Sequence, residues 1–306
     1  MKNQTALNIL VPLIAILVLV SAGMGLFWQD GGSPFAFTTL RGQTVQISGQ
    51  GLYHYDTAFR VPIFRGTDAV TLFAALPMLI AAFVVAQRGS LRGRLFLAGI
   101  LAYFLYNAAS IALGVAYNNL FLVYVAYFSA SLFAFGLAIR SIDLSDLSAR
   151  VSPGLPRRGI AILLIVAGLA VLVAWLGDII GPLVSGGVPG IASYTTEATY
   201  VFDLGIIVPA CGLSAILLLR RNPLGLLSSL VLLVLLAVIG LVVATQTIFQ
   251  SLAGFNLGPG EFVGKAGSFM VLSLFAIGLT VRYLRGIGIP AGQRAKSLKP
   301  ARAAAR

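Results

Sequence analysis

Long apolar runs alternate with short polar breaks along the whole chain, and the runs have the length of membrane-crossing helices. A helix needs about 20 apolar residues to cross the hydrocarbon of a bilayer. Eight such runs are present, near Leu7–Trp28, Thr67–Gln87, Leu95–Tyr117, Leu120–Ile139, Gly159–Leu183, Tyr200–Leu219, Leu224–Ile248 and Phe262–Leu284. The pattern predicts an all-α membrane protein: one eight-span transmembrane helix bundle over residues 1–285 and a basic, disordered cytoplasmic tail over 286–306. The first run follows Lys2 and exceeds the roughly 7–15-residue apolar core of a signal peptide, so it is expected to stay as an anchor.

The breaks differ in kind. Residues 29–66 form the longest connection. In it Thr44-Val45-Gln46-Ile47-Ser48 alternates polar and apolar, Gly49-Gln50-Gly51 is a turn signal, and Leu52 to Asp56 follow, which predicts a small extracytoplasmic β-hairpin. Residues 141–158 hold a short polar run and then Pro153 and Pro156, and read as a cytoplasmic linker with one interfacial helical turn near Ile142–Leu147. The third and fourth spans are separated by little more than Asn118-Asn119, which forces a tight antiparallel pair. Small residues at helical spacing (Ala109 and Gly114; Ala130, Ala134 and Ala138) predict close helix packing there.

Composition excludes the soluble alternatives. Hydrophobic residues are 58% and charged residues 10%, against about 25% charged in a soluble chain. The net charge of +12 would invite a nucleic-acid reading until it is placed on the spans. With the first residue inside, 17 of the 21 Lys and Arg fall on the cytoplasmic side, and only Arg41, Arg60, Arg65 and Lys265 fall outside. Of the 9 acids, only Asp143 and Asp146 are inside. Cytoplasmic loops carry the excess of Lys and Arg, so both termini are expected in the cytoplasm and no nucleic acid is expected as a partner. The partners expected are the lipid bilayer and, for the basic C-terminal tail, anionic lipid. The sequence names no cofactor and sets no oligomeric state.

The two halves share a signature. In the second span an acid (Asp68) precedes a mid-span Pro77, and Arg88 closes the helix; in the sixth, Asp203, Pro209 and Arg220 follow suit. Both prolines lie 11 residues before their arginine, whereas the acids lie 9 and 6 residues before their proline. Spans of equal orientation four helices apart would be a 4+4 parallel repeat, as in some transporter folds. Each proline removes a backbone donor and displaces the carbonyl four residues earlier, at Phe73 and Gly205. In lipid those carbonyls need another partner or a wet cavity.

Candidate site residues lie toward the outer ends of the spans. His54 and Asp56 sit in the aromatic segment Gly51-Leu52-Tyr53-His54-Tyr55-Asp56, which reads either as a binding platform or as an interfacial aromatic belt. Asp68 and Asp203 fall in first turns, where an acid also complements the helix dipole. Asp178 is a turn deeper, near Gly177 and Pro182. Glu261 and Lys265 are spaced to pair on one helical face. Asn107, mid-span and far from charge, reads as an interhelical hydrogen-bonding group. Asp178, Asp203 and Lys265 share an outer depth and are expected to converge. One Cys (Cys211) and one His (His54) exclude an internal disulfide and a His-rich metal site, so no metal is expected.

The strings GLYHYDTAF, RGSLRGRLFLAG, YNNLFLVYVAYFSASLFAFGLA and FDLGIIVP resemble those of an uncharacterised family of bacterial multi-pass integral membrane proteins. The resemblance runs from the first external loop through the sixth span. It implies a bacterial cytoplasmic (inner) membrane and brings no catalytic residues. With no nucleophile motif such as GxSxG or HExxH in the chain, the reading that fits best is a non-enzymatic binding, sensing or assembly protein with an outward-facing polar cavity. A small-molecule or ion transporter is the alternative, and a membrane enzyme acting on lipid-linked substrates at the outer face is the third reading.

Overall fold

The computed structural model describes residues 2–255 and 258–288. The side chains of Lys2, Asn3, Glu261 and Lys265 lie outside the described residues, as does the basic tail from residue 289. The chain is an all-α bundle with one small sheet. Eight helices are long and apolar enough to cross a membrane: α1 (Lys2–Phe27), α2 (Val61–Gln87), α3 (Leu91–Gly114), α4 (Phe121–Arg140), α5 (Arg157–Ser185), α6 (Ala198–Leu219), α7 (Pro223–Leu252) and α8 (Ser268–Arg285). The protein is therefore a polytopic membrane protein.

Two strands, β1 (Phe35–Thr38) and β2 (Thr44–Ile47), pair antiparallel after α1. The hairpin is present, with its main partner strand on the side the sequence did not indicate. Thr44–Ile47 forms its ladder with the segment before it, while the expected segment joins it only through an Ile47–Thr57 bridge and the Ser48–Asp56 and Gly49–His54 backbone bonds around the turn at 52–55. All of β1 is exposed, so burial leaves no alternation in its sequence. The turn at Gly49 and Gly51 does form, both with positive φ (66° and 62°), because it lies directly on the backbone of Ser33 and Trp28. A Cβ at Gly49 would come within 2.0 Å of the Ser33 carbonyl oxygen.

The second helix starts six residues earlier than its hydropathy indicates. Pro62 occupies its first turn, where a missing N–H does no harm. Arg65 and Asp68 interrupt the apolar run and disguise the helix as loop. Asp68 is thus two turns inside the helix and buried, not a first-turn residue complementing a dipole. The linker helix spans Leu144–Arg150, with the Asp143 carboxylate accepting from the Ser145 and Asp146 N–H groups and Leu147 fully buried.

The 4+4 pattern is visible in the backbone at a constant offset of 132 residues, that between Pro77 and Pro209. Each proline follows a π-helical turn, Thr71–Ala75 in α2 and Asp203–Ile207 in α6. The N–H of Leu76 reaches the carbonyl of Thr71, and that of Val208 reaches Asp203, five residues back in both cases. The widened turn is how each helix accommodates its proline within the bilayer. Arg88 (φ −75°, ψ 11°) and Arg220 (φ −75°, ψ 4°) end the two helices, followed by left-handed Gly89 and Arg221. Ser90 and Asn222 then cap α3 and α7. Gly93 and Gly225 press against the backbone of the preceding helix, where a Cβ would meet the Ala86 nitrogen at 2.6 Å and the Leu218 nitrogen at 2.3 Å. The acids do not share this register, since Asp203 corresponds to Thr71. A further π turn (Phe262–Gly267) before α8 has no counterpart before α4.

The packing follows the same relation. α3 and α7 lie against each other at the centre, with α2 on α7 and the start of α6 on α3. Gly99 lets α3 close on Val234 of α7, where a Cβ would lie 2.6 Å from that of the valine. In a bilayer such close approach, not water exclusion, holds helices together. The halves differ at the flank: α4, with Ala130, Ala134 and Ala138 all buried, packs on both α3 and α1, whereas α8 packs on α5 less extensively.

Candidate functional site

The hairpin end of the bundle gathers three loops around one carboxylate. Asp56 follows the Gly51 turn and is 1% exposed. Its Oδ1 accepts from the Ala116 N–H (2.8 Å), just after α3, and from the Tyr194 hydroxyl (2.7 Å), between α5 and α6. Its Oδ2 is buried and has no hydrogen-bond partner among the described residues. Burial pushes the carboxyl up to about 6, against the opposing hydrogen bonds from Tyr194 and Ala116 and the positive field of Arg60. Burial and the nearby Asp56 carboxylate likewise raise the Tyr194 phenol above its ordinary value.

Arg60 completes this latch. Its guanidinium lies over the Tyr194 ring, 4.6 Å from the centroid, and forms a two-pronged ion pair with the buried Glu197. The Thr199 hydroxyl donates to Glu197 Oε1 (2.7 Å), and Arg41 donates to the Tyr194 carbonyl (3.2 Å). Burial lowers the Arg60 guanidinium below its ordinary value. His54 is beside the latch rather than in it: its Nδ1 faces the Gly51 carbonyl at 3.1 Å and its ring packs on exposed Tyr55.

Below the latch a buried polar strip runs through the first half. The Tyr53 hydroxyl donates to Asp68 Oδ2 (2.7 Å), and Gly25 of α1 presses on both groups. Thr71 and Tyr103 share a hydrogen bond (2.6 Å), Asn107 donates to the Tyr127 hydroxyl (3.2 Å), and Asn118 donates to that of Tyr124 (3.2 Å). Asn107 therefore does join two helices, as expected. The Gln246 amide of α7 donates to Thr67 of α2 (2.8 Å).

Asp203 has a separate setting. Tyr106 donates to its Oδ1 (2.9 Å) and the Trp175 indole to its Oδ2 (2.7 Å). The Trp175 ring packs at a tilt on that of Tyr200 (4.9 Å between centroids), whose hydroxyl donates to Asp178 (3.3 Å). Asp178 and Asp203 are thus brought together through one aromatic pair. Asp203 is buried and doubly hydrogen-bonded, a fuller role than complementing a dipole. Whether Lys265 joins them lies outside the described residues, as does its pairing with Glu261.

The described side chains at the hairpin end are tied to one another by these contacts. A cleft of about 560 Å³ opens at the opposite end, beside the linker. Tyr194, Glu197, Arg60 and Trp175 carry these contacts, and composition reading passed over them. Arg60 is one of the few cations on the hairpin side, and Glu197 one of only 9 acids in the chain, which was the available signal. Among the described residues no group of three or more His, Cys, Asp or Glu gathers as metal ligands would. Compared with family models, curated proteins and solved structures, the chain gives no match.

Proposed function

We propose that the protein is a non-enzymatic binding or sensing protein of a bacterial cytoplasmic membrane, with both termini in the cytoplasm and the hairpin end facing outward. The asymmetry of Lys and Arg supports that orientation. One observation carries the function: Asp56 Oδ2 is a buried acceptor with no donor, at the point where three loops meet. A buried polar atom without a partner is unfavourable, so the site is poised for a proton or for a small donor group such as an ammonium. The ion pairs and hydrogen bonds around it tie Gly51–Arg60 to Tyr194–Glu197, so an event at Asp56 is felt by both connections.

The experiment is thermal unfolding of the protein in nanodiscs at pH 5–8, with and without methylammonium as donor probe, for wild type and Asp56→Asn. A pH- or methylammonium-dependent shift that Asp56→Asn abolishes is expected. Equal responses of the two proteins contradict the reading.

A transporter is the second reading, favoured by the repeat. Interrupted helices at matching places in two parallel halves are where transporters hold substrates, and α2 and α6 carry such interruptions. The close contact of Gly99 with Val234, which packs α3 against α7 at the centre, favours the binding reading. Proton-coupled uptake of the probe into proteoliposomes, lost in Asp56→Asn, would decide for transport.

A further inference from the structure

We propose that the cleft at the linker end binds a phosphate-bearing anion, of the kind carried by an anionic phospholipid headgroup or an organic phosphate. The cleft measures about 560 Å³, within the usual range of about 300–1,000 Å³ for small-ligand sites. Arg157, Arg158 and Arg221 line it, and among the described residues no acid does. The ion pairs of the described residues, Arg60 with Glu197 and Arg150 with Asp146, involve none of the three. The Arg157 Nε is buried without a hydrogen-bond partner among the described residues. Three like charges lining one cleft repel one another, and a phosphate that accepts from several of them relieves this.

Two further features point the same way. Arg157 and Arg158 open the 29-residue α5, whose N-cap is Pro156 and has no side-chain acceptor. The Arg157 N–H is taken by the Leu155 carbonyl, and the positive dipole end of the helix adds to the field of the arginines. The internal repeat supplies the second. Where the first half has left-handed Gly89 (φ 75°), the second has Arg221 at φ 59°. A left-handed residue other than glycine is disfavoured, yet this position holds a guanidinium that lines the cleft. Val151, Leu155 and Pro156 complete the wall with apolar surface. The helix ends place the site at headgroup level, where a phosphate meets the arginines and an organic remainder meets the apolar side.

The test is thermal unfolding of the full chain in nanodiscs of phosphatidylcholine, with or without phosphatidylglycerol. Inorganic phosphate or glycerol 3-phosphate is added to the phosphatidylcholine discs in parallel. Wild type is expected to unfold at higher temperature with phosphatidylglycerol or with the soluble phosphates. A shift with the lipid alone assigns a headgroup, and a shift with soluble phosphate assigns a free ligand. In the double variant R158Q/R221G the half-effective concentration should rise roughly tenfold or more, as two charge-assisted contacts are lost. Its unfolding temperature in pure phosphatidylcholine should hold, because glycine suits position 221. Exposed Arg140, at the same end but outside the cleft, provides R140Q, which should respond as wild type. If the double variant does not fold, R158Q alone should show a partial loss. The proposal is overturned if wild type responds to none of the probes, or if the variants with altered clefts respond as wild type does.

Discussion

Gly66 of α2 and Gln246 of α7 meet backbone to backbone: a Cβ on Gly66 would lie 2.7 Å from the Gln246 Cα. The same contact recurs 132 residues on, with the halves exchanged. Ala198, the counterpart of Gly66, meets Gly114, the counterpart of Gln246, with 3.7 Å between the Ala198 Cβ and a Cβ built on Gly114. A contact and its exchanged copy are what a two-fold relation between parallel halves produces.

The two contacts differ in tightness, which makes them separable. Gly66→Ala forces two backbones apart and should destabilise by about 1–3 kcal/mol. Gly114→Ala makes an ordinary van der Waals contact and should stay within about 0.5 kcal/mol of wild type. Unfolding in detergent, monitored by tryptophan fluorescence, checks both.

The Arg60–Glu197 pair should behave as a coupled unit. Glu197→Gln and Arg60→Gln each leave a buried group poorly met and should each cost about 1–3 kcal/mol. The double variant should cost clearly less than the two together. A double-mutant cycle of unfolding free energies measures the coupling, and strict additivity would dismiss it.

Gly25 should be intolerant for a polar reason. A Cβ there would sit 2.1 Å from Asp68 Oδ2 and 2.6 Å from the Tyr53 hydroxyl. Gly25→Ala must therefore break or displace that buried hydrogen bond. It should lower stability more than Tyr53→Phe, which removes the hydroxyl and leaves the packing in place. Thermal unfolding of the two variants side by side gives the order.

How far the sequence discloses this arrangement depends on the range of the signal. Apolar runs report helices locally, so all eight appear, but Arg65 and Asp68 hide the first turns of α2. Pro77 and Pro209 with Arg88 and Arg220 expose the repeat because equal spacing survives without sequence identity. The acids misalign, because Asp203 stands where the first half has Thr71. β1 is short and wholly exposed, so burial marks none of its positions. Asp56 stands out as a candidate, but its partners in the latch do not: it meets Ala116 and Tyr194 across 60 and 138 residues, and no periodicity connects them.

Orientation has its own test. In a Cys211→Ala background, Thr38→Cys on β1 should react with a membrane-impermeant maleimide in intact cells. Ser148→Cys, exposed on the linker helix, should react only after permeabilisation. The reverse pattern would place the hairpin in the cytoplasm.

Asp56 carries the central claim, that the hairpin-end latch responds to what happens at one carboxylate. Its carboxyl takes up a proton near pH 6 in the fold, against an ordinary value of 3.8. The protonated form is the one the fold favours. The stability it contributes is whole below about pH 4 and is lost as pH rises through about 6, a change of roughly 3 kcal/mol. Tyr194, Arg60 and His54, which act on this carboxyl, are all retained in Asp56→Asn. The most direct measurement is amide hydrogen exchange of residues 52–60 and 194–201 in nanodiscs between pH 5 and 7.5, corrected for the intrinsic pH dependence of exchange. Protection should fall as pH rises in wild type and stay level in Asp56→Asn; matching profiles for the two proteins would contradict the account.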